Sequence, residues 1–177
     1  MKSLIIILLL ISGTVFCQKD KYGSERQRMV DDQIVARGIS DQATLKAMTE
    51  VPRHLFVPAE YIKEAYSDRP LPIGYSQTIS QPFVVAYMTE LVKPAKGKKA
   101  LEIGTGSGYQ AAVLAEIVDT VYTIEIVPEL AKEAATRLKI LGYHNIVTKY
   151  GDGYKGWPEH GPFDIIIVTA AADHIPQ

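Results

Sequence analysis

Residues 101–110 read LEIGTGSGYQ, and they carry the strongest chemical signal in the chain. Gly104, Gly106 and Gly108 fall where an apolar strand gives way to a helical pattern. Glycines at such a turn allow positive φ and let a ligand touch the backbone. The helix behind them favours partial negative charge. A tight turn with no ligand is the plain alternative. The spacing excludes a dinucleotide fingerprint, because G-x-G-x-x-G needs a third glycine where Tyr109 stands. Two further acids end strand-like runs. Glu125 closes VYTIEI and is placed to accept both hydroxyls of a ribose. Asp152, between Gly151 and Gly153, is placed to receive an adenine amino group. An ordinary loop acid and an Asp-Gly turn are their alternatives. Strand ends of a doubly wound sheet line one crevice, so the three signals reinforce one another.

The G-x-G-x-G spacing with Glu102 before it resembles the S-adenosylmethionine loop of class I methyltransferases. Glu102 beside a cationic ligand makes electrostatic sense; a solvated strand-end acid is its bland reading. The resemblance implies cofactor contacts at Glu102, Gly104, Thr105, Gly106, Gly108, Glu125, Asp152 and Gly153.

The elements that must position these residues follow from periodicity. Arg26–Arg37 reads as a helix capped by Ser24, with Met29, Ile34 and Val35 as its apolar stripe and Gly38 as its stop. Asp41–Met48 is a second short helix. Ser67–Gln81 reads as a loop, punctuated by Pro70, Pro72 and Gly74. Pro82–Val92 is a helix with proline in its first turn. From residue 100 strands and helices alternate: strands at 100–103, 121–126, 145–150 and 163–168, helices at 109–118 and 128–141. FDIIIV at 163–168 is apolar enough for burial on both faces. Alternation predicts an α/β fold with a right-handed parallel sheet.

Composition narrows the function. The chain has 177 residues, a net charge of −1 and one cysteine. That balance offers no basic footprint for nucleic acid. Four histidines without metal-ligand spacing and a single cysteine argue against a metal enzyme. Residues 1–17, MKSLIIILLLISGTVFC, pair Lys2 with an apolar run too short to span a bilayer. They read as a secretory signal peptide cleaved after Cys17, which leaves no thiol and suits an oxidising compartment. Lipidation at Cys17 and a retained anchor are the alternatives. The chain is thus expected to be exported, periplasmic or secreted, without stable membrane insertion.

Three blocks carry a more specific likeness: MVDDQI at 29–34, VPRHLFVP at 51–58 and YSQTISQPFVVAYMTEL at 75–91. Over about residues 26–177 the chain resembles the protein-L-isoaspartate (D-aspartate) O-methyltransferases. The resemblance implies a class I S-adenosylmethionine-dependent methyltransferase, a Rossmann-like doubly wound sheet with an N-terminal helical segment. It implies residues 24–92 as the helical, substrate-side segment and 98–177 as the cofactor-binding α/β domain. It implies esterification of the free carboxylate of isoaspartyl and D-aspartyl residues in damaged proteins; the ester then collapses to a succinimide, which begins repair. Ser80 is the residue the resemblance assigns to the active site, with Thr78 beside it; a helix N-cap and a turn hydroxyl are the alternatives, and Gln77 is as readily structural. Ala171 and His174 are weak substrate-side candidates. His54 reads as structural, and Tyr154 and Trp157 as packing over the sheet edge, with a place bordering adenine as the alternative for either. The family continues beyond the position of Gln177, so the sheet is expected to be incomplete at the C-terminus, and the complete protein to be a monomer. A methyltransferase acting on another carboxylate or small molecule, and a non-catalytic cofactor-binding domain, are the rival functions.

Overall fold

A computed structural model describes residues 21–170; the apolar run at 4–11, Cys17, Ala171 and His174 lie outside the described residues. Four parallel strands form the central sheet: β3 (Lys99–Ile103), β4 (Thr120–Glu125), β5 (Ile146–Tyr150) and β6 (Ile165–Val168), in the order β5-β4-β3-β6. The register pairs Leu101 with Tyr122 on one side and with Ile166 on the other. Glu102, Gly104 and Glu125 thereby reach the same rim, since parallel strands in register end together.

Two helices cross between these strands, α4 (Tyr109–Ala115) and α5 (Pro128–Ile140). Every residue of α4 from Tyr109 to Leu114 is buried. Ala111 and Leu114 pack on Ala100, Val121, Ile165 and Ile167, while Tyr109, Ala112 and Val113 face a second cluster built by the N-terminal segment. Alanines here are therefore contact surface, small enough to let three layers approach. The opposite sheet face carries Tyr122, whose ring stands 5.4 Å from Trp157 and 4.5 Å from His160.

The N-terminal segment begins with α1 (Gly23–Arg28), continues as a π turn over Met29–Ile34 and a 3-10 turn over Val35–Arg37, and stops at Gly38 with φ 95°. The expected uninterrupted helix over 26–37 is corrected on three points. Ser24 lies inside α1 and Tyr22 is its cap. The helix widens at Met29, where a five-residue period lets Met29 and Ile34 both point inward. Val35 is 44% exposed and is replaced in the stripe by Val30, 3% exposed. Helix α2 (Gln42–Glu50) starts at Asp41, whose carboxylate accepts from the Thr44 N–H at 2.8 Å and closes the first turn.

The stretch 67–81 is not a plain loop. It contains a hairpin, β1 (Leu71–Gly74) and β2 (Gln77–Ile79), joined through Tyr75 and Ser76, both at positive φ. Leu71, Ile73 and Ile79 are buried while Pro72 and Thr78 are exposed, so the alternation of a two-stranded ribbon was present behind its prolines. The hairpin leads into α3 (Pro82–Leu91). The C-terminal strand also departs from expectation. Ile165 and Ile167 are buried, whereas Ile166 is 60% exposed; among the described residues β6 pairs with β3 alone and lies at the sheet edge.

One apolar cluster spans both halves of the chain, from Met29, Met48 and Phe56 to Tyr109, Leu130 and Leu138. Phe56 is fully buried and meets the Tyr109 ring edge-on at 5.4 Å. Phe56→Ala is expected to destabilise the protein by about 3–5 kcal/mol through a cavity at this junction. Urea denaturation followed by far-UV and near-UV circular dichroism checks it; a separate early transition of the N-terminal segment would show that the two halves do not share a core.

Candidate functional site

The sheet rim opens into a cavity of about 650 Å³. Strand ends supply Glu102, Gly104, Glu125 and Asp152 to one side, and the hairpin exit supplies Gln77, Thr78 and Ser80 to the other. Thr105, Gly106 and Gly153 line it as well; Gly108 does not, and instead adopts φ 88° as the residue before α4.

The glycine loop is held by hydrogen bonds to the neighbouring strand. The N–H groups of Gly104 and Thr105 donate to the Ile124 carbonyl at 2.8 and 3.2 Å. Gly106 N–H donates to Glu125 Oε2 at 2.7 Å, and Val127 N–H to Oε1 at 2.9 Å. Glu125 is thus more than a strand-end acid. It fixes the loop, and each carboxylate oxygen retains acceptor capacity for a ligand hydroxyl. Two glycines are dictated by space. Gly104 has φ 97°, and a Cβ there would lie 3.0 Å from the Ala170 nitrogen. A Cβ on Gly153 would lie 2.3 Å from Ile103 Cγ2, so the segment after β5 can close over the rim only without a side chain.

Glu102 is fully buried and not a solvated acid. Thr123 Oγ1 donates to its Oε2 at 2.5 Å, and Thr105 Oγ1 lies 2.6 Å from Thr123 Oγ1. Its Oε1 is buried without a partner. Burial pushes the carboxyl up to about 8, opposed by the Thr123 hydrogen bond and reinforced by the charge of Glu125. At neutral pH this carboxyl is held neutral, and a cation entering the cavity favours its ionised form. Asp152 accepts from the Tyr154 N–H at 3.0 Å, capping a 3-10 turn over Gly153–Lys155, and still lines the cavity. Three acids around one space, one with an unpartnered oxygen, fit a ligand with a positive charge and vicinal hydroxyls.

Several readings change here. Ser80 is not the cap of α3: Gln81 is, and it makes no side-chain cap bond. Ser80 is half-buried on the cavity wall with its carbonyl held by Arg53 at 2.7 Å. Tyr154 lines the cavity, whereas Trp157 packs against Tyr122 as the sequence suggested. His54 Nδ1 lies 2.7 Å from the Tyr66 hydroxyl and 4.2 Å separates its ring from Tyr22, a packed structural role.

Other lining residues escaped the sequence reading. Ile126, 63% exposed beside Glu125, offers an apolar surface at the rim. Gln110 is buried, donates to Thr89 Oγ1 at 2.8 Å and leaves its own oxygen unpartnered. The signal for Ile126 was an isoleucine following the acid that ends a strand; nothing in the sequence marked Gln110. Among the described residues no cluster of His, Cys, Asp and Glu could hold a metal, and no helix is long and apolar enough to cross a membrane.

Comparison with known proteins gives these features a context. A family model described as protein-L-isoaspartate(D-aspartate) O-methyltransferase matches residues 24–177. A Gloeobacter violaceus protein-L-isoaspartate O-methyltransferase is 63% identical over 84% of this chain and 73% of its own length. A relative of the same name from Picosynechococcus is 60% identical over 86% of this chain and 68% of its own. A solved protein-L-isoaspartate O-methyltransferase superposes with TM-score 0.79 at 33% identity, covering 85% of this chain and half of that one. A Plasmodium falciparum protein described as such an enzyme, in complex with S-adenosyl-L-homocysteine, superposes with TM-score 0.69 at 25% identity. It covers 85% of this chain and 76% of that one.

Two outcomes follow from the acids. Glu125→Ala removes the acceptor that holds the loop and lines the cavity, and titration calorimetry is expected to show S-adenosylhomocysteine binding weakened by about 1.5–3 kcal/mol. Glu102 has its carboxyl raised from 4.5 to about 8 by folding. A raised acid stabilises the fold fully at low pH and loses that contribution as pH climbs through about 8. The melting temperature of the free protein is therefore expected to fall between these limits, while affinity for the cationic cofactor rises over the same range with release of a proton. Glu102→Gln should flatten both profiles; unchanged slopes would place the titrating group elsewhere.

Proposed function

The chain belongs to the protein-L-isoaspartate(D-aspartate) O-methyltransferase family, and from that premise we propose that its rim cavity transfers a methyl group to the free carboxylate of isoaspartyl residues in damaged proteins. The observation that carries this reading is the division of one cavity into an acidic side and a hydroxyl side. When bound, S-adenosylmethionine supplies a methyl group already activated on a sulfonium.

The chain's own tasks are holding and alignment. An isoaspartyl carboxylate is ionised near pH 7, because carboxyl pKa values lie near ~4. No general base is needed, and among the described residues the cavity lining holds no His to partner the hydroxyls of Thr78 and Ser80. These hydroxyls can donate to one carboxylate oxygen and leave the other free to attack. Glu125 and Asp152 hold the nucleoside end, and Glu102 meets the cationic end with a carboxylate once its proton leaves. Alignment of oxygen, carbon and sulfur then carries most of the acceleration. The nitrogen of the neighbouring peptide bond attacks the ester carbonyl, methanol leaves with the nitrogen's proton, and hydrolysis of the resulting succinimide returns part of the damage to normal aspartate.

One chain supplies both sides of the cavity, which supports a monomer. Export is part of the same proposal, supported by Lys2 and the apolar run Leu4–Ile11.

Labelled cofactor offered with paired aspartyl and isoaspartyl peptides is expected to mark only the isoaspartyl member. Equal marking, or none, overturns the substrate assignment. Ser80→Ala should lower kcat/KM roughly tenfold to a hundredfold, the worth of one hydrogen bond to a charged group, and leave cofactor affinity unchanged. In the native host, osmotic-shock fractionation with N-terminal mass spectrometry is expected to find a released chain beginning at Gln18; an intact Met1 in the cytosolic fraction overturns export.

A further inference from the structure

One buried charge has no part in the chemistry so far. Arg53 opens the 3-10 turn Arg53–Phe56 and is 0% exposed, a placement guanidinium groups rarely take without a paired anion. Its Nε donates to the Ala65 carbonyl at 2.8 Å and its Nη2 to the Ser80 carbonyl at 2.7 Å. Its guanidinium carbon lies 4.8 Å from the centre of the Tyr109 ring. Nη1 is buried with no partner among the described residues. Both acceptors are neutral carbonyls. The carboxylate whose field it feels, Asp68, is engaged by Arg37 at 2.6 Å and by the Phe83 N–H at 3.1 Å. Arg53 is therefore a desolvated cation without a counter-anion of its own, which is unfavourable unless the surroundings or a ligand compensate it.

Two of its contacts, Ser80 and Tyr109, line the cavity, while Arg53 itself does not. Tyr109 begins the helix behind the glycine loop, so the guanidinium joins the hydroxyl side of the cavity to the cofactor side. Burial lowers its pKa, yet the guanidinium remains charged at neutral pH. We infer that Arg53 is a positioning residue for the acceptor subsite: it clamps the Ser80 carbonyl so that the hydroxyl faces the cofactor side, and its uncompensated charge favours an anionic acceptor over a neutral one. The fork geometry explains why arginine is used. Nε and Nη2 reach two carbonyls at once while the plane lies on an aromatic ring, which an ammonium cannot reproduce.

The inference rests on the proposed methyl transfer, so the wild-type protein is tested first. If it does not methylate an isoaspartyl peptide, the functional reading fails before Arg53 is in question. Given that activity, Arg53→Met is expected to raise KM for the isoaspartyl peptide tenfold or more. Its affinity for S-adenosylhomocysteine should match wild type. Arg53→Lys should keep the preference for a charged acceptor and still turn over more slowly, because Ser80 is no longer clamped. A folded Arg53→Met protein with a lowered melting temperature but wild-type KM and kcat overturns the inference and leaves Arg53 a packing residue. If Arg53→Met does not fold, the wild-type protein decides. The α-amide of the same isoaspartyl peptide should inhibit at least tenfold more weakly than the α-carboxylate, and equal inhibition overturns the inference.

Discussion

The carboxylate of Glu125 holds the site in shape. Its two oxygens take the N–H groups of Gly106 and Val127, so the glycine loop at the end of β3 and the turn leaving β4 are tied to one side chain. A loop rich in glycine has a large conformational entropy in the unfolded chain and would otherwise stay loose. The parallel register places the anchor: Ile103 pairs with Ile124, and the loop N–H groups of Gly104 and Thr105 meet the Ile124 carbonyl. Everything acidic in the cavity depends on this level being set correctly. A shift of one residue would turn Glu125 to the other face and release the loop.

The charges around the cavity are arranged as two complementary halves. Glu102, Glu125 and Asp152 form an acidic arc at the strand ends. Burial raises the Glu102 carboxyl to about 8, with the nearby charge of Glu125 adding to the effect. Across the cavity the polar groups are hydroxyls and an amide, with the charge of Arg53 one layer behind them. A cation is stabilised on the first side and an anion on the second. In the proposed reaction the methyl passes from a sulfonium on the first side to a carboxylate on the second, and both charges vanish in the product pair. The field that favours binding of the reactants therefore also weakens the hold on the products.

Legibility in the sequence tracked how local each determinant was. The alternation of strands and helices after residue 98, the glycine loop and the acids at 102, 125 and 152 were readable, because each depends on a few neighbouring residues and on strand ends meeting at a rim. The hairpin at 71–79 was not, because its prolines masked a ribbon whose buried positions alternate at only Leu71, Ile73 and Ile79. The π turn at Met29–Ile34 was missed for a different reason: its period of five is set by packing in the N-terminal core and not by local propensity. The one-sided burial of β6 reflects what covers a sheet face, which no strand carries in its own residues. Buried polar groups were the hardest class. Gln110 sits on a helix whose neighbours are alanine, valine and leucine, and Arg53 lies in VPRHLFVP, where no neighbouring residue marks it for burial.

The burial of Arg53 shows how such sites are built. An isolated arginine between prolines has no local reason to be buried, and the turn it occupies buries Phe56 as well. Its position is specified from three directions at once: Ala65 after the following turn, Ser80 at the hairpin exit, and Tyr109 on α4. These partners lie 12, 27 and 56 residues away along the chain. The Tyr109 contact forms only when the N-terminal segment has docked against the sheet domain, and Arg53 links it to the Ser80 carbonyl, so the hydroxyl side of the cavity is set in place by the same packing that buries Phe56 against Tyr109. The acidic side needs only β3, β4, β5 and the loops that leave them. A protein organised this way can complete its cofactor side from local structure, while the acceptor side is a product of tertiary docking and must be as stable as the core that creates it.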